Sequence, residues 1–130
     1  MAGGLTVAGQ QAALEAVFTT APYLALCSTA PTDTAAGTEA TYTGYTRKLT
    51  VSGDWGAATA AVPSVKSNVT TISWPQCTAG ATPNTLQYVE WWTAASGGVR
   101  HAFGTLTQAI AVTSGITPSS APGQLFGSLD

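Results

Sequence analysis

At 130 residues the chain suits one domain with a real hydrophobic core. Only 8% of it is charged, against roughly 25% in an ordinary soluble protein. The net charge is -2, and the cations are Arg47, Lys48, Lys66 and Arg100 alone. Four scattered cations cannot displace the counterions of a phosphate backbone, which excludes a nucleic-acid partner.

Ala, Thr, Ser and Gly stand where Lys and Glu would normally be. A bias of this kind suits a surface spent on contacts with other subunits, and a GC-rich genome produces it too. Cys27 and Cys77 lie in separate strand-like runs, and Met1-Ala2-Gly3-Gly4 starts no secretory leader. Two buried free thiols are therefore expected rather than a disulfide. No apolar run reaches the roughly 20 residues of a membrane span, so no membrane partner is expected and the chain reads as soluble and made in a cytoplasm.

In chain order, Leu5 to Thr20 is the one convincing helix. Val7, Leu14, Val17 and Phe18 recur at helical spacing on one face. Thr6 is placed to cap its start and Pro22 to stop it. The pattern then turns to β. Tyr23 to Cys27 reads as a buried strand, Thr32 to Thr43 as a polar surface loop, and Tyr45 to Val51 as a second strand. Trp55 to Pro63 is Ala-rich and fits no single element. Val65 to Cys77 is a third strand region, in which Ile72 and Trp74 share a face and Pro75 marks an end or an edge. After a turn-rich break at Ala79 to Asn84 come Leu86 to Thr93 and Val99 to Thr107, joined through Ser96-Gly97-Gly98. Two strand-like runs with such a join predict a β-hairpin. Ile110 to Val112 is a short strand, Ile116 to Gly123 a loop, and Gln124 to Leu129 a closing strand. The expected fold is a single mainly β domain over residues 1–130. It comprises a helix at 5–20 and an antiparallel sandwich or barrel of about seven strands at 23–129.

No catalytic constellation accompanies these elements. His101 is the sole histidine, with Arg100 beside it and no acid near in sequence, so a nucleophile–base–orienter set has no base. One His and two Cys 50 residues apart lack metal-ligand spacing. Among the acids only Asp54 and Glu90 lie near aromatics, and nothing else marks them as a hydrolytic pair. No Gly-rich phosphate loop opens a helix. The expectation is therefore no enzyme, no cofactor and no metal.

The aromatic residues point to contact instead. Adjacent Trp91 and Trp92 face opposite sides of a strand, one toward the core and one outward. Trp92, Trp55 and Tyr88 are candidates for a subunit interface, which favours Trp and Tyr. The same three suit a sugar-stacking platform. Arg100 and His101 complete the candidate interface, and Glu90 with Arg100 is positioned to pair across the hairpin.

The order of motifs from Leu5 to Leu129 resembles a family of small tailed-phage virion proteins commonly labelled phage tail fibre protein. Some of its members are head-decoration proteins. The resemblance is carried by the N-terminal helix, the strand and loop Tyr23 to Asp33, Gly44-Tyr45-Thr46-Arg47 on a Gly-Tyr-x-Arg element, and Trp55. Asn68 with Ile72-Ser73-Trp74-Pro75 matches an Asn-x-x-Ile-x-Phe-Pro pattern, with Trp in place of Phe. The Ala94 to Gly98 turn, Gly104-Thr105-Leu106-Thr107, Val112 to Gly115 and Pro122-Gly123-Gln124-Leu125 complete it. Thr93 stands where the family has an Asp, and Glu90-Trp91-Trp92 replaces a smaller apolar strand.

The resemblance implies a β-rich, non-enzymatic virion protein. The role expected first is decoration of the capsid exterior, where the chain would bind major-capsid subunits and brace their joints. Self-association is expected beside it, a trimer included, through the helix or the Trp92 face. The alternative is a tail fibre or tail-tip component touching the host surface. A free carbohydrate-binding module comes third.

Overall fold

A computed structural model describes residues 3–80 and 85–129. Helix α1 (Val7–Thr20) starts where Thr6, in extended conformation, accepts the Gly9 amide on its hydroxyl at 3.2 Å. It ends at Ala21, whose N–H bonds Val17 O, immediately before Pro22. Leu14 and Phe18 are buried and Val7 and Val17 partly so, as the spacing predicts. Gln10 is buried as well, its side chain accepting the Ser64 amide and donating to Leu5 O.

Eight strands follow among the described residues: β1 (Tyr23–Cys27), β2 (Lys48–Leu49), β3 (Ser64–Ser67), β4 (Ile72–Ser73), β5 (Thr85–Trp92), β6 (Arg100–Ala111), β7 (Ser119–Ser120) and β8 (Phe126–Leu129). Half of them form a four-stranded sheet in the order β2-β1-β5-β6, and β3-β8 and β4-β7 form two-stranded ribbons. Every pairing is antiparallel. The β-rich class is as expected, but the second layer is α1 with two ribbons rather than a full second sheet.

Several boundaries differ from the sequence reading, each for a local reason, and the 116–123 stretch read as a loop contains β7 because Ser119 and Ser120 pair with β4. Tyr45 to Val51 contracts to the two residues of β2, because Tyr45 and Arg47 turn their side chains onto other segments and Thr50 bonds Pro22 O through both its amide and its hydroxyl. Val65 to Cys77 splits into β3 and β4 at Asn68, whose side chain leaves the ladder to bond Thr70 O, Ala121 O and Leu125 N. Ile110 to Val112 is no separate strand: β6 runs on to Ala111, with a register shift opposite Leu86/Tyr88. The Trp55 to Pro63 stretch, read as fitting no single element, is irregular after its first residue bridges Asn68; α1 holds it through Gln11, which donates to Ala58 O, and Glu15, which accepts the Ala58 amide. The expected break at Ala79 to Asn84 falls partly on residues 81–84, outside the described residues.

One cluster of buried side chains runs from Leu14 to Leu125. At its centre Phe18 meets Trp55 edge-on at 4.6 Å, and Trp91 lies 5.5 Å from Phe18 and 6.4 Å from Trp55. Trp74 is 1% exposed and donates its indole N–H to Leu24 O at 3.0 Å. Gly127 is where β8 crosses α1: a Cβ there would lie 3.0 Å from the Phe18 ring. A side chain at that position would wedge the ribbon off the helix. Cys27 and Cys77 are free and buried.

Candidate functional site

The five residues expected to form an interface separate in the structure. Trp55 is 7% exposed and belongs to the core, its indole N–H on Thr50 Oγ1. This corrects its assignment to an interface. An indole removes on the order of 200 Å² from water, so the core gains more from it than an exposed contact would. Trp92 does face away from Trp91, but it is half-buried beneath Arg47, whose guanidinium sits 4.2 Å from the ring centroid. Tyr88 is partly buried on the same side of the sheet. The three aromatics form no shared exposed platform.

What occupies that side is a polar clamp. Glu90, 1% exposed, receives Arg100 at 3.0 Å, the Gly37 amide at 3.1 Å, the Cys27 thiol at 3.1 Å and the Trp92 indole N–H at 3.4 Å. A buried carboxylate is tolerable only when saturated in this way. Arg100 reaches on to Thr32 O and lies over Phe103. The expected Glu90–Arg100 pair therefore forms, diagonally across the hairpin, and it also seizes the Thr32 to Thr43 loop. That loop is exposed at its tip yet pinned at Thr32 and Gly37. Burial, and then the hydrogen bond to Glu90, pushes the Cys27 thiol far above its ordinary range.

Arg47 forms a second clamp. Its Nε and Nη2 take both oxygens of Glu39 at 2.9 and 3.0 Å, and its Nη1 donates to Ala94 O and Gly97 O in the hairpin turn, each at 2.9 Å. Tyr45 donates to Glu39 at 2.8 Å and accepts the Leu26 amide, and burial raises its phenol well above the ordinary value. On the helix side Lys66, nearly buried, bonds Glu15 at 2.8 Å and Gly56 O at 2.7 Å. The hydrogen bond from Lys66, then that from the Ala58 amide, lowers the Glu15 carboxyl below its usual range. Three of the chain's four cations are thus consumed inside the fold.

A family model described as Podophage GP4 fiber I protein gp80 matches residues 7–128. The chain belongs to that family. A comparison with curated proteins found no match. Membership in a phage fibre family accords with the resemblance read from the motif order, while a head-decoration role has no counterpart in the family's description. The residues that carried the resemblance are the ones tying distant segments together. Arg47 binds the hairpin turn, Asn68 binds the closing segment at Ala121 and Leu125, and Trp74 binds β1. In the hairpin turn the Thr93 hydroxyl accepts the Val99 amide at 2.9 Å.

The surface left for contact lies elsewhere. A groove of about 450 Å³ runs between α1, β6 and β8, with Trp91 as its floor and Phe103 and Phe126 at its rim. Phe103 is 40% and Phe126 49% exposed. His101, exposed, borders the same groove, so it alone of the five expected residues stays at an open contact surface. Arg100 lies beside it but is spent on Glu90. Among the described residues, the Trp91 indole N–H is a buried donor without a hydrogen-bond partner. Sequence reading missed Phe103 because alternation alone does not say which face is inward. The signal was the pair of small residues Ala102 and Gly104, which leave room for Trp91 on the core side.

No helix among the described residues is long and apolar enough to cross a membrane.

Proposed function

We propose that this chain is a non-enzymatic structural component of a tailed-phage fibre, working through contacts with neighbouring subunits. The family match over residues 7–128 is the observation that carries the reading. The internal use of its charges supports it. With Arg47, Lys66 and Arg100 paired to Glu39, Glu15 and Glu90, the outside is nearly neutral. A nearly neutral surface loses little when it is desolvated against another protein.

Copy number in purified particles tests this, together with labelling by an antibody against the chain. A fibre component is expected at few copies and at the tail. Hundreds of copies spread over the shell would instead favour decoration of the capsid exterior, with the major capsid protein as partner.

A further inference from the structure

The two edges of the main sheet are built differently. At one edge stands β2, two residues long and carrying Lys48, which is how natural sheets discourage a further strand. At the other stands β6, twelve residues long and paired only with β5. From His101 to Ala111 it contains no Lys, Arg, Asp, Glu or Pro. It is a long, uncharged, unblunted edge.

The groove beside it is lined by five consecutive β6 residues, His101 to Thr105. Consecutive residues point to alternate faces, so it is the strand's backbone edge that borders the groove. Toward the C-terminal end of β6, Thr107 donates to Gln124, so the closing segment already lies against that half of the strand. The open edge is therefore the N-terminal half, flanked by exposed Val99, Phe103 and Phe126.

We propose that a second copy of this chain docks here, β6 against β6 in antiparallel register about a two-fold axis. The main sheets of the two copies would then join into one. An antiparallel edge is self-complementary, so one patch serves both partners. The strand itself carries no charge along its open half except Arg100, which is paired with Glu90, and Asp33 of the 32–43 loop lies beside its N-terminal end. Six residues of strand pairing with the flanking aromatics bury roughly 1,000 Å², the low end for a specific contact. The dimer is accordingly reversible in free solution and strengthened where copies are held close together.

Sedimentation velocity of the full chain over a wide concentration range tests it. A monomer–dimer equilibrium is expected, weakened more than tenfold by Phe103→Glu and unchanged by Ile116→Glu, which alters an exposed residue outside the groove. If Phe103→Glu does not fold by circular dichroism, Thr105→Lys serves in its place. Of the single variants H101C, F103C and T105C, mild oxidation should link the one nearest the two-fold axis into a disulfide dimer far more readily than the others and than I116C, since only a residue at the axis faces its own copy and the native thiols are buried. A monomer at all concentrations, a trimer, or a dimer indifferent to the edge variants would overturn the proposal.

Discussion

Arg47 gathers into one side chain what the low charge of the sequence only hinted at. Its side chain is 8% exposed, spans Glu39 and two carbonyls of the hairpin turn, and covers Trp92. Arg47→Ala should cost about 2–3 kcal/mol in urea unfolding, because it strands Glu39 and two carbonyls at once. Arg47→Lys should recover only part of this, since an ammonium cannot make the bidentate fork or the stack. The thiols offer a second check. With Cys27 and Cys77 both buried, a thiol reagent should find none in the native protein and two after denaturation. Acid stability is a third. Glu15 is held below its usual range by Lys66, and Asp54 by the Val51 amide. A carboxylate lowered in the folded state adds stability above its unfolded value, about 4, and loses it as pH falls through the folded value. The melting temperature should therefore hold from neutral pH to about 5 and decline below about 4, less steeply in Glu15→Gln.

At the scale of elements, the hairpin was the most readable feature and the structure shows why. Gly97 and Gly98 have φ of +63° and +80°, the left-handed region that a Cβ disfavours. A Cβ at Gly98 would also lie 2.7 Å from Thr93 Oγ1 and 2.9 Å from Ala94 Cβ. Gly98→Ala should cost about 1–3 kcal/mol in thermal unfolding, where Ala at Gly53, with open space around it, should cost far less. The helix was equally readable, since Thr6, Pro22 and the Leu14/Phe18 spacing act within a few residues of one another. The short strands were not. β2, β4 and β7 are two residues each and exist only because a partner strand lies beside them.

For the whole molecule, the outcome is a fold whose cations Arg47, Lys66 and Arg100 are drawn inward to their acidic partners while an apolar groove beside β6 stays open. The Glu90 clamp fastens the 32–43 loop to the hairpin, the Arg47 clamp fastens the 44–47 segment to its turn, and the Lys66–Glu15 pair fastens β3 to α1. Phe103 and Phe126 beside the β6 edge are among the large apolar residues that stay exposed.

The sequence by itself determined the β-rich class, the single helix, the hairpin, the free thiols and the family. These rest on local rules of capping, alternation and turn chemistry, or on motif order along the chain. Only the tertiary structure decided which tryptophan faces outward, that Trp55 is core, and that the open edge is β6. Exposure depends on what other segments lay across a residue. The segments that cover Trp92 and Glu90 come from 40 or more residues away in sequence, where no periodicity reaches.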